Sequence, residues 1–220
     1  MTVTESERLR TLSAVEARVL GVLIEKQSTV PDTYPLSLNA LTAGCNQKTA
    51  RDPVMSASDA DVLTAIDGLK SLSLVFEGSG SRVVKFEHNT ARVLGLPSQS
   101  VALLATLMLR GPQTAAELRL NCERLHRFAD ISSVEGFLDE LAAKDPPRVA
   151  RLARAPGSRE SRWAQLLCGD APQTHHAPSS DGAAAATPTQ WEQLEARVAV
   201  LEAQVASLLR SDVNGSGGTE

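Results

Sequence analysis

Four side chains in one short polar stretch could do chemistry: Asn46, Gln47, Lys48 and Arg51, within Cys45–Val54. Together they offer amide and cationic N–H donors, the groups that hold a phosphate or a partner's carboxylate. The stretch is long for a connection between helices of a small domain, which usually takes about 2–8 residues. A structural reading stays open beside this one. Arg51 would pair with Asp52 or a helix end, Asn46 would terminate the preceding helix, and Pro53 would fix the entry to the next. Further cations fall in two predicted ribbons: Arg82 and Lys85 in the first, and Arg148, Arg151, Arg154, Arg159 and Arg162 in the second, offset there by Glu160 alone. Such a ribbon contacts phosphates, or it is simply a soluble edge, since charged side chains blunt exposed strands.

Catalysis has less support. The chain carries no GxSxG elbow, HExxH helix, P-loop or dinucleotide fingerprint. The expectation is a non-enzyme with no cofactor and no metal. Cys45, Cys122 and Cys168 form no CxxC pair, so they read as reduced thiols of a cytoplasmic protein. Cys45 and Cys122 each follow a Leu anchor by four residues and read as small core residues. His175-His176 lies in linker composition without ligand-spaced companions, which favours a solvated linker over a metal site.

The totals constrain what could position these groups. Hydrophobic residues are 42% of the 220, but aromatics only 3%, so the cores must be aliphatic. A net charge of −4 means that any basic footprint has to be local. No apolar run approaches the roughly 18 residues of a membrane span. The start of the chain, with Glu5, Glu7, Arg8 and Arg10, lacks the apolar region of a signal peptide.

Residues 1–11 are a polar tail. Ser13 and Glu16 form a capping box, and Val15, Val19, Val22 and Leu23 give the following helix a buried stripe to about Gln27. Ser37 caps a second helix with Leu38, Leu41 and Cys45. Ser58 and Asp61 open a third, with Val62, Ile66 and Leu69 inward. Leu74–Glu77 and Arg82–Phe86 read as strands joined through Gly78-Ser79-Gly80-Ser81. The order then repeats. Ser98 starts a helix with Val101, Leu104 and Met108 inward. Thr114 and Glu117 cap a second. Ser132 and Glu135 are expected to cap a third, and residues 148–154 and 159–167 to form a second hairpin.

This gives a mainly α fold with small β-hairpins: winged helix-turn-helix domains at 12–89 and 90–169, in tandem. A linker follows at 170–189, a helix at 190–210 and a tail at 211–220. In that last helix Trp191, Val198 and Val205 occupy a positions, and Leu194, Leu201 and Leu208 occupy d positions. β-Branched a with Leu d favours a parallel pair, so a homodimer through this helix is expected, with packing on its own domain as the alternative. The two halves align at Leu41 with Leu118, an offset of 77 residues, and at Ile66 with Leu138, an offset of 72. The difference places five extra residues in the Cys45–Val54 stretch.

Pro31–Leu41, then Cys45-Asn46-Gln47-Lys48, then Arg51–Met55 resemble the signature of the YceH family of uncharacterised bacterial proteins (UPF0502). Leu109–Thr114 and Glu117-Leu118-Arg119 resemble its second-half motif. The resemblance spans about residues 12 to 168 and implies a tandem winged-helix fold. It implies no activity.

Two functional readings follow. A helix-turn-helix reads the major groove with its third helix. Those faces are expected to carry Asp61, Thr64, Ala65, Gly68 and Ser71 in one half, and Glu135, Gly136, Asp139, Glu140 and Ala143 in the other. Neither offers Arg, Asn or Gln to base edges, and the carboxylates repel phosphates. The first reading is therefore a regulatory or DNA-associated factor that contacts phosphates through its wings and the long turn. The second is a protein-interaction scaffold using the acidic faces and a coiled-coil dimer. Neither involves a membrane.

Overall fold

The computed structural model describes residues 10–78, 83–154, 157 and 160–169. These described residues belong to one compact unit. The expected coiled-coil seam, Trp191 to Leu208, and the linker before it lie outside the described residues. Among the described residues no helix is long and apolar enough to cross a membrane.

Local sequence chemistry sets most helix starts. Helix α1 (Ala14–Thr29) begins at the Ser13–Glu16 capping box. After a 3₁₀ turn at Pro31–Thr33 and a two-residue strand β1 (Leu36–Ser37), Ser37 caps α2 (Leu38–Cys45). The Ser58–Asp61 box opens α3 (Asp59–Ser71). Strands β2 (Val75–Gly78) and β3 (Lys85–His88) follow, then a short α4 (Thr90–Leu94) closed by Gly95 at φ 61°. The second half has α5 (Ser98–Arg110), α6 (Ala115–Asn121) behind the Thr114–Glu117 box, α7 (Ile131–Ala142), and strands β4 (Val149–Arg151) and β5 (Trp163–Gln165). The fold is α+β with a winged-helix-like order of three helices and a ribbon, met twice.

Four details differ from the sequence reading. The first ribbon is a three-stranded antiparallel sheet in the order β1-β3-β2, with Leu36 opposite Phe86. Strand β3 starts at Lys85 rather than Arg82. Phe86, 3% exposed, is the side chain that reaches the core, so Val83 and Val84 are left exposed despite their β propensity. Helix α7 is capped by Asp130 with Ser133, two residues before the expected Ser132–Glu135 pair. On α3, Ala65 is buried and Gly68 is half-buried against Glu16 of α1, whereas Asp61, Thr64 and Ser71 are exposed as expected and Ala60, Leu63 and Asp67 are exposed with them. The α7 face is exposed as expected at Glu135, Gly136, Asp139, Glu140 and Ala143.

One mainly aliphatic core, with Phe86, Phe128 and Trp163 as its buried aromatics, runs through both halves from Leu12 and α1 to Leu167. Helix α5 is the reason. All its residues from Ser100 to Leu109 are buried, because α1 covers one side and its own half the other. The ends of the unit also meet: the Leu12 N–H donates to the Leu167 carbonyl at 2.7 Å.

Close approach of α2 to α1 depends on Gly44, where a Cβ would lie 2.6 Å from Cγ1 of Val22. Gly44→Ala should therefore lose about 1–3 kcal/mol of stability through overpacking. Gly136→Ala on α7, where a Cβ would meet nothing within 4 Å, should instead gain roughly 0.5–1 kcal/mol from helix propensity. Urea denaturation of both variants checks the opposite signs.

Candidate functional site

The turn that leaves α2 is built from the inside outward. Asn46 ends the helix, its N–H donating to the Thr42 carbonyl. Its side chain then clamps the far end of the turn: Nδ2 donates to the Ala57 carbonyl and Oδ1 accepts from the Ala57 N–H, both at 2.8 Å. Ala50 takes a left-handed backbone, φ 58°, which turns the next residue inward. That residue is Arg51, only 6% exposed. Its guanidinium makes a two-pronged pair with Glu25 of α1, at 3.1 and 2.6 Å. It also donates to the carbonyls of Gly44 and Ala50 and to Oε1 of Gln47.

Arg18, about two turns before Glu25 on the same helix, holds both ends of the turn. It donates to the Cys45 carbonyl at 3.0 Å and to the Pro53 carbonyl at 2.6 Å. Between them, the Asp52 N–H donates to the Leu109 carbonyl at the end of α5, 2.8 Å away. The long turn thus fastens the first half to the central helix of the second. By element ends, Asn46–Ser58 is thirteen residues against nine for Cys122–Asp130, a surplus of four where the sequence offsets gave five.

Electrostatics follow from this burial. Burial alone would push the Glu25 carboxyl up, but the hydrogen bonds and charge of Arg51, helped by Lys26, hold it below its ordinary value. Burial, and then the neighbouring Arg51 charge, lower the Arg18 guanidinium, against which Cys45 and Asp52 act from a distance. Burial raises the thiols of Cys45 and Cys122 to about 11, so neither is a thiolate at neutral pH. Both are fully buried, as their positions beside Leu41 and Leu118 suggested.

The candidate contact residues therefore divide. Asn46, Gln47 and Arg51 direct their donors into the fold, and Lys48 is exposed. Of the first ribbon, Lys85 is half-buried in β3, and Arg82 lies outside the described residues. In the second ribbon Arg148 is half-buried, its guanidinium lowered by that burial. Arg151 stacks over Trp163 at 5.7 Å. Arg154 is exposed. Arg162 donates to the Pro112 carbonyl at 2.8 Å and pairs with Glu117 at 3.1 Å. Arg159 lies outside the described residues. Glu160 is not the only offset. Glu117 reaches Arg162, and Glu135 of α7 lines a groove of about 190 Å³ with Arg151, Arg154 and Glu160.

Sequence reasoning missed Arg18, Glu25 and His88. The first two carried a signal, since they lie seven residues apart on the α1 face that holds Val22. His88 closes β3: its N–H donates to the Tyr34 hydroxyl at 2.8 Å, and its ring meets Gln27 Oε1 at 2.9 Å. The Tyr34 ring also meets the His88 ring edge to face, with centroids 6.4 Å apart. Among the described residues no group of His, Cys, Asp and Glu could hold a metal ion.

The chain is similar over most of its length to UPF0502 proteins of several bacteria. One from Burkholderia pseudomallei (strain 668) is 66% identical over 200 residues, covering 91% of this chain and 86% of the relative. One from Cupriavidus necator (strain H16) is 67% identical over 203 residues, covering 91% and 84%. One from Leptothrix cholodnii (strain SP-6) is 64% identical over 209 residues, covering 90% and 94%. The family described as "protein of unknown function, DUF480" matches residues 12–158, a span that takes in the long turn, both three-helix sets and the first strand of the second ribbon. By these matches the chain belongs to the DUF480 (UPF0502) family.

Proposed function

We propose that the protein is a non-enzymatic regulatory adaptor whose third helices engage a basic protein partner. The observation that carries this reading is the make-up of their exposed faces. On α3, Leu63 is 44% exposed between Asp59 and Asp67, one turn to either side, and Asp61 is exposed on the same helix. On α7, exposed Ile131 lies near Glu135, and Asp139 and Glu140 extend the acidic face. An apolar centre with a charged rim is how protein interfaces are built, whereas carboxylates on these faces oppose a phosphate backbone. A dimer through residues 190–210 would present each face twice.

A second reading, DNA association through the wings, draws on the exposed Arg151 and Arg154. Duplex binding separates the two. The adaptor reading expects a Kd for random duplex weaker than about 10⁻⁴ M at low salt, because non-specific DNA binders usually do better. It also expects a protein partner that co-purifies after nuclease treatment and is lost from the Leu63→Lys, Asp67→Lys double variant. Tighter, salt-sensitive duplex binding would move the assignment to the wings. In the same preparations, deletion of residues 190–210 should halve the mass measured by light scattering. An unchanged mass removes the dimer.

A further inference from the structure

Arg18 is the anomaly of the core. It is 1% exposed, yet its hydrogen bonds go only to two neutral carbonyls, and its Nε has no partner among the described residues. Arg51 beside it has a carboxylate in direct contact, and Arg18 has none. A buried cation without an opposite charge in contact is costly unless something supplies that charge.

Arg18 also forms part of the wall of a cleft of about 250 Å³ between the halves. The first half contributes the start of α1 and the end of the turn. The second contributes the end of α5, Gly111-Pro112 and β5. The walls are mainly apolar, among them Ala17, Met55, Leu107, Met108, Pro112 and Ala164. Gln165 adds a donor. Its Oε1 accepts from the N–H groups of Leu167 and Cys168, which leaves its NH₂ without a partner among the described residues. Asp52 is the only carboxylate in the lining. It is exposed and makes no hydrogen bond to Arg18.

The geometry points to a binding site for a small aliphatic carboxylate, its head on Arg18 and Gln165 and its chain along the apolar wall. The volume lies just below the roughly 300–1,000 Å³ of drug-sized pockets, which limits the ligand to a short chain. A ligand there touches both halves, so its binding stabilises their docking by mass action. Asp52 works against the head group as a like charge at the mouth.

The test uses the full-length chain in isothermal titration with straight-chain carboxylates from acetate to octanoate, each paired with its amide. Affinity should rise with chain length, then fall when the cleft is full. Hexanoate should bind at least ~tenfold more tightly than hexanamide, the worth of a charged over a neutral head group. Asp52→Asn should tighten hexanoate. Ala14→Trp, a change at an exposed residue of the rim, should abolish binding while the far-UV circular dichroism and unliganded Tm stay unchanged. Acid and amide of equal affinity, hexanoate binding that survives Ala14→Trp, or no binding by any acid up to ~10 mM, a free energy too small for a built site, would each overturn the assignment.

Discussion

Arg51→Met should lower the unfolding free energy by about 3 kcal/mol, within the range for breaking a buried ion pair from one side. Methionine keeps much of the volume, so the loss reports polar contacts rather than a cavity. Four groups lose their donor: the Glu25 carboxylate, the Gly44 and Ala50 carbonyls, and Gln47 Oε1. The Arg51 side chain is fully buried and that of Glu25 is 15% exposed. The Glu25 carboxylate still has Lys26 at 3.2 Å, which keeps the expected figure at the lower end of the range. Adding Glu25→Leu should recover part of the loss, because removing both partners avoids an orphaned charge, but not all of it, because the two carbonyls stay unsatisfied. Urea denaturation of the two variants measures this. A shift below ~1 kcal/mol for Arg51→Met, no more than an exposed pair gives, would mean that the latch is ornamental. The sign with pH follows from the depressed Glu25 carboxyl. Its contribution is fully present above the unfolded value near 4.5 and is lost as the pH falls through the lower folded value.

The second large effect falls in a different pH window. Burial holds the His88 imidazole down at about 4, against 6.5 when unfolded. It is therefore neutral in the fold. The ring donates from Nε2 to Gln27 and accepts at Nδ1 from the Thr90 N–H at 3.4 Å. Between pH 4 and 6.5 the unfolded chain takes up a proton that the native state refuses. Stability is thus intact above about pH 6.5 and declines as the pH falls toward 4, where the slope ends. At about 1.4 kcal/mol for each pH unit of that gap, the ceiling is roughly 3 kcal/mol, and the part-exposed ring should deliver about 2. His88→Gln removes the titration. Urea midpoints at pH 7.5, 6 and 5 should fall for the parent and stay nearly level for the variant. Parallel declines would place the acid sensitivity elsewhere.

What could be read from the sequence was what is local. Ser13, Ser58 and Thr114 cap their helices because a cap needs only a residue three positions on. The α7 start was misread by the same rule, since Asp130–Ser133 and Ser132–Glu135 both have the spacing and only packing chooses between them. The register of β3 needed to know that Phe86, and not Val84, meets the core. Comparing the halves located the long turn, but its meaning lay with Arg18, Glu25 and Leu109, which are distant in the chain. Hence residues chosen as outward donors turned out to face inward. The exposed cations of the second ribbon were legible as charges, while their pairing with Glu117 and their grouping with Glu135 belonged to the tertiary structure.

The core that runs through α1 and α5 has a consequence for any partner. Two modules on a flexible tether let a partner choose the spacing at which it meets them. Here the surfaces of α3 and α7 are mounted on one continuous body, clasped again where Leu12 meets Leu167. In the proposed adaptor role the body would act as a ruler: a partner that touches both surfaces would have to match their separation already, and one that does not would be limited to a single grip.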